Sequence, residues 1–127
     1  MKNKNFLESL KNACRGLLQA AKTERNFKVD IFCACLAFLL GIILGFSYLE
    51  MGILTVTIFI VLVCELINTA VERTVDLVTE EFRPLAKAAK DIAAGAVLLS
   101  SVMSIIVAVL LFLRKSVILK LFSFFNF

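Results

Sequence analysis

Four polar residues recur at the end of a long apolar stretch: Glu65, Asn68, Glu72 and Asp76. Their spacing is i, i+3, i+7 and i+11. At about 100° per residue such positions share one narrow stripe of a helix. Thr69 and Thr79 flank it, and residues 51–64 before it carry no charge. Ionisable groups at membrane depth are costly, so they face a bundle interior and mark function. A single acid fits an ordinary ion pair with Arg73, Arg83 or Lys90. Three acids on one stripe, with an amide between them, fit that poorly. Histidine is absent from the chain, and clustered carboxylates without histidine suit hard divalent cations, Mg²⁺ above all. Mg²⁺ usually binds one or two carboxylates together with substrate phosphates. Lys87 and Lys90 stand near enough in sequence to hold those phosphates. Lys90-Asp91 is expected to open the next helix, where an N-terminus favours anions. Glu65 is the deepest acid, and desolvation there suits it to take a proton. These pieces suggest a phosphate donor from the water side and an acceptor hydroxyl from the bilayer.

The elements that must position this stripe follow from composition. Of 127 residues, 61% are hydrophobic and 19% charged, against about a quarter charged in soluble domains. Too few polar groups remain to cover a soluble surface, and the same composition excludes disorder. The apolar residues gather into runs at 31–49, 51–64 and 92–113. A crossing helix needs about 20 such residues. The first and third runs suffice alone, and the second does so if its helix carries acids at the interface. The expected class is therefore an all-α membrane protein forming one domain. A surface helix at about 5–25 precedes spans at 29–49, 51–79 and 88–113, and a tail follows at 114–127. The first run is no signal peptide, because a patterned charged segment precedes it and no small-residue cleavage site follows.

Lys and Arg set the expected orientation. They cluster before the first run (Lys2, Lys4, Lys11, Arg15, Lys22, Arg25, Lys28) and around the second connection (Arg73, Arg83, Lys87, Lys90). The first connection has none. The N-terminus and the second connection are thus expected in the cytoplasm. Arg114, Lys115 and Lys120 then fall outside, with Phe122, Phe124, Phe125 and Phe127 suited to the interface. Phe6, Leu7, Leu10, Ala13, Cys14, Leu17, Leu18 and Ala21 recur at steps of three and four, opposite Glu8, Lys11, Arg15 and Lys22. A basic amphipathic helix of this kind lies in the headgroup plane or packs on a partner subunit. The four cysteines show no metal spacing. Gly41-x-x-x-Gly45 and the small run 93–96 read as devices for close helix approach.

Glu65-Leu-Ile-Asn68-Thr-Ala-Val-Glu72-x-x-x-Asp76, followed by Lys90-Asp91-x-Ala-Ala, resembles the signature of the prokaryotic diacylglycerol kinase family. The resemblance runs from about residue 6 to 113. It implies a homotrimer of three-span subunits, each with a surface helix, and active sites shared between neighbours. It also implies a bacterial cytoplasmic membrane location, ATP as donor, Mg²⁺ as cofactor and a membrane lipid as acceptor, with no nucleic-acid partner. The roles it implies are Glu65 as general base at the lipid hydroxyl, Asn68 as its support, and Glu24 with Glu72 as metal ligands. Lys90 would neutralise the transferred phosphoryl group, Asp91 would help fix the nucleotide, and Glu81-Phe82-Arg83 would cover it. No P-loop, GxGxxG or HRD motif of soluble kinases is present. The run Phe82-Arg83-Pro84-Leu85-Ala86-Lys87-x-Ala-Lys90-Asp91 is similar to the undecaprenol kinase branch; diacylglycerol is the alternative acceptor.

Two other classes compete. A small ion-conducting subunit would need polar groups across the whole membrane, and here the acids occupy one half of one helix. A non-catalytic assembly subunit explains the apolar runs and leaves the stripe unexplained.

Overall fold

The computed structural model of the chain describes residues 5–79, 81–113 and 122–123. Four long helices follow one another among them: α1 (Phe6–Thr23), α2 (Arg25–Ile43), α3 (Tyr48–Val78) and α4 (Pro84–Phe112). The last three are long and apolar enough to cross a membrane. The protein is an all-α membrane protein in which α3 packs along α4 and, over a shorter length, against α2. Of the tail expected at 114–127, all but Phe122 and Ser123 lies outside the described residues, and the Phe122 ring is exposed.

Local chemistry sets the helix ends. Asn5 caps α1, its side chain accepting the Glu8 N–H at 2.9 Å. Glu24 alone separates α1 from α2, in an extended conformation. At the far end Gly45 takes a left-handed φ of 67°, which L side chains resist. Ser47 and Glu50 then form a reciprocal capping box that starts α3 at Tyr48. This capped turn occupies residues 44–47, so α2 ends several residues short of the position 49 expected from hydropathy. Gly45 accordingly belongs to the turn. Gly41 does allow close approach: a Cβ there would lie 3.0 Å from the Met51 sulfur and 3.2 Å from the Phe46 ring. Nothing lies within 4 Å of the corresponding point on Gly95, so no close approach inside one chain requires a glycine there.

At 1.5 Å per residue, α2 is about 28 Å long, while α3 and α4 reach about 46 and 43 Å. A hydrocarbon core is about 30 Å thick. The short turn at 44–47 aligns α2 and α3 at one end, so α3 and α4 overhang at the other. Glu65 then lies about 26 Å along α3, near the edge of the apolar slab. Glu72 and Asp76 lie beyond it. The α1–α2 corner and the α3–α4 connection stand at this same, charged end.

The apolar side chains find little cover within the chain. Phe32, Phe59, Leu99 and Ile105 are exposed on the spans, and Phe6, Leu7 and Leu18 on α1. The most buried residues are instead polar in good part: Thr57, Glu65, Asn68, Thr69 and Ser100. Thr57 and Ser100 satisfy themselves on the Ile53 and Val97 carbonyls, at 2.8 and 2.9 Å, as hydroxyls in apolar helices do. The two acid-stripe residues do not, and that difference locates the site.

Candidate functional site

Glu65 and Asn68 lie on the inward face of α3, 3% and 7% exposed. Each has a buried oxygen without a hydrogen-bond partner, Glu65 Oε2 and Asn68 Oδ1. Buried polar atoms are nearly always paired, so such orphans call for a cause. Both are acceptors, and what they lack is a donor. The Asn68 amide donates to Glu72 Oε1 at 3.0 Å, which fixes Glu72 one turn further out.

Helix α2 contributes to the same place. The Asn26 side chain faces the Glu65 carboxylate, and Asp30, Glu72 and Glu24 are the acids close enough to act on its charge. Asp30 also lines a cavity of about 310 Å³ between α2, α3 and α4, with Ala34, Thr57 and Ser101. Sequence reasoning missed Asn26 and Asp30. The available signal was depth: counting back from the far turn sets Asn26 level with Glu65, and Asp30, which heads an uncharged run, one turn deeper.

Glu24 sits at the α1–α2 break, where an extended residue lets its side chain turn toward α3. Arg73 Nη2 bonds Glu24 Oε1 at 2.5 Å and donates to Thr23 Oγ1 at 2.7 Å. The Thr23 hydroxyl donates to the same Glu24 oxygen at 2.9 Å. The Arg73 guanidinium, and after it the Thr23 hydroxyl, hold the Glu24 carboxyl below the usual carboxylate range. Glu24 and Glu72 therefore each have Oε1 tied by a side-chain donor. Their other oxygens make no bond among the described residues.

The remaining expected residues form a second group, further from the membrane. Lys90 pairs with Asp76 at 2.5 Å, and Asp91 pairs with Lys87 one turn back on α4. Asp76 thus fits an ordinary ion pair. Glu81 and Arg83 face each other at 3.6 Å, and Phe82 is exposed. This connection and Lys90 border one cavity of about 420 Å³. The expectation that Lys90-Asp91 opens a helix is corrected. Pro84 begins α4, with Arg83 at its cap, because proline presets the first helical φ and needs no N–H partner. Pro84 has no N–H and the Lys87 N–H donates to the Arg83 carbonyl at 3.0 Å, so the unpaired N–H groups at this end lie at Leu85 and Ala86, a turn before Lys90 and Asp91.

The prokaryotic diacylglycerol kinase profile matches residues 11–112. The chain belongs to that family. An undecaprenol kinase of Bacillus subtilis is 44% identical over 110 residues, covering 87% of this chain and 89% of its own. A diacylglycerol kinase of Synechocystis is 38% identical over 81% of this chain and 59% of its own length. One from Helicobacter pylori is 36% identical, covering 76% and 75%. Membership of the prokaryotic diacylglycerol kinase family makes the chain a lipid kinase that transfers phosphate from ATP. The family match spans α2, α3 and α4 whole, and with them both residue groups described above.

Proposed function

We propose that the chain phosphorylates undecaprenol, giving undecaprenyl phosphate, with Glu65 as the general base. The observation that carries the reading is the orphaned Glu65 Oε2, a buried acceptor at the edge of the apolar slab. A lipid hydroxyl is the donor it lacks. In the transfer, Glu65 takes the hydroxyl proton, the lipid oxygen bonds to the γ-phosphorus, and the bond from that phosphorus to ADP oxygen breaks. Asn68 positions Glu72 through its amide, and its own orphaned oxygen would take a donor from the acceptor. The choice of undecaprenol over diacylglycerol rests on the 44% identity to the Bacillus subtilis enzyme, which covers most of both chains.

Among the described residues, no three His, Cys, Asp or Glu side chains converge as a complete cage. That agrees with Mg²⁺, which keeps its waters and takes one or two carboxylates plus phosphates. Glu24 and Glu72 fit it, each with one oxygen held and the other unbonded. When bound, Mg²⁺ would neutralise charge on the phosphates. Lys90 would leave Asp76 to meet the transferred phosphoryl group. Asp91 would orient the nucleotide, with Glu81, Phe82 and Arg83 covering it.

The site is completed in a homotrimer. Eleven residues separate Glu65 from Asp76, the partner of Lys90: about 16 Å of helix axis. That is more than Lys90 spans to reach a phosphoryl group held at Glu65, and a neighbouring subunit supplies the missing proximity. The exposed apolar flanks of α2 and α4 suit such neighbours and the lipid around them. Helix α1 lies on the cytoplasmic face of the bacterial inner membrane, with the α3–α4 connection on the same side.

Purified protein with Mg-ATP should label undecaprenol faster than diacylglycerol in mixed micelles. Faster labelling of diacylglycerol moves the assignment to that lipid, and labelling of neither removes the kinase reading.

A further inference from the structure

Arg73 has no part in the roles given above. It stands one residue past Glu72 on α3 and reaches back to the α1–α2 corner. A single nitrogen, Nη2, makes both of its bonds, to Glu24 Oε1 and Thr23 Oγ1. A guanidinium carries five N–H donors in a planar fork. The Nε and Nη1 edge makes no bond among the described residues, and the side chain is 46% exposed. That edge is open to a ligand.

The surrounding charge gives that edge a use. Glu65, Glu72, Glu24 and Asp30 gather at this level, and a nucleotide polyanion approaching them meets mostly negative charge. Lys90 and Lys87 are each tied to an acid further out. Arg73 is the cation in direct contact with a carboxylate of the proposed metal pair. A planar fork binds phosphate oxygens side by side, which a lysine cannot do. The geometry points to Arg73 as a phosphate-binding residue: Nη2 holds Glu24 while the opposite edge grips a phosphate group of the nucleoside triphosphate. The role rests on the kinase reading and adds to it a direct contact with the donor.

The test is equilibrium binding of the Mg complex of a non-hydrolysable ATP analogue to the full-length protein in detergent. Arg73→Gln should weaken binding roughly tenfold or more, as expected for a charge-assisted hydrogen bond removed. Arg73→Lys should fall between the two, and it carries the test if the glutamine variant loses its helix content or gel-filtration profile. In a Glu24→Gln background, Arg73→Gln should still weaken binding. Equal affinity of the parent and either Arg73 variant overturns the proposal. So does a loss that vanishes in the Glu24→Gln background, since Arg73 would then act only through Glu24. A parent chain that binds no nucleotide overturns the kinase reading, and this contact with it.

Discussion

At the scale of single residues, the site is defined by what is unsatisfied. Thr57 and Ser100 in the spans bond to their own helix, whereas Glu65 Oε2 and Asn68 Oδ1 remain open. Glu65→Gln keeps the shape and removes the base. Turnover should fall by about 10²- to 10⁴-fold while nucleotide affinity survives; unchanged turnover in a lipid-phosphate assay removes Glu65 from that role. Glu72→Gln should instead raise the Mg²⁺ concentration needed for half-maximal rate. A metal titration superimposable on the parent's would separate Glu72 from the cation. Glu24 gives a pH prediction. Its carboxyl is held low by Arg73 and then by Thr23, so its proton binds less readily folded than unfolded. The resulting stabilisation is complete above the ordinary carboxylate range and disappears as pH falls through the lowered value. Glu24→Gln should therefore lower the thermal midpoint near neutral pH, and the two melting curves should converge in acid. A gap that persisted in acid would mean the ion pair is not its source.

At the scale of elements, two joints determine where the acids sit. The break at Glu24 turns the chain from α1 into α2 and delivers a carboxylate to α3. The turn at 44–47 aligns α2 with α3, and so sets Asn26 opposite Glu65 with Asp30 one turn away. Gly41 lets that second joint close, with the Met51 sulfur and Phe46 ring packed against it. Phe46 also packs against Phe112 of α4, the tilted rings 4.9 Å apart, linking three helices at this end. Gly41→Leu should destabilise the fold by about 1–3 kcal/mol through overpacking, read from denaturant unfolding in detergent. No change would show that the joint can open without cost. Gly45→Ala should cost about 1–2 kcal/mol for its left-handed φ, with the helices themselves intact.

At the scale of the whole molecule, the proposed site is one shared between subunits. The spans of one chain expose large apolar side chains, and about 16 Å of axis lies between Glu65 and the level of Lys90. Mixed assemblies test the shared site directly. Glu65→Gln and Lys90→Met subunits, each inactive alone, should regain part of the activity when co-assembled. No recovery across mixing ratios would place both residues in one subunit's site.

The sequence alone determined the class, and its motif pointed to the family and so to lipid phosphorylation. Apolar runs of sufficient length can only be spans, and the stripe from Glu65 to Asp76 follows from helical periodicity, because both are local properties of the chain. It proposed Glu24 only through resemblance, since as a lone acid at a helix end it looks like any surface charge. Tertiary structure decided what depends on two elements meeting. It assigned Arg73 to Glu24 and Lys90 to Asp76, brought Asn26 and Asp30 to Glu65, and moved the start of α4 to Pro84, so that Lys90 and Asp91 left the helix N-terminus. Periodicity ranks the faces of one helix. Which side chain of another helix fills the space opposite depends on turn geometry and close packing, and those exist only in three dimensions.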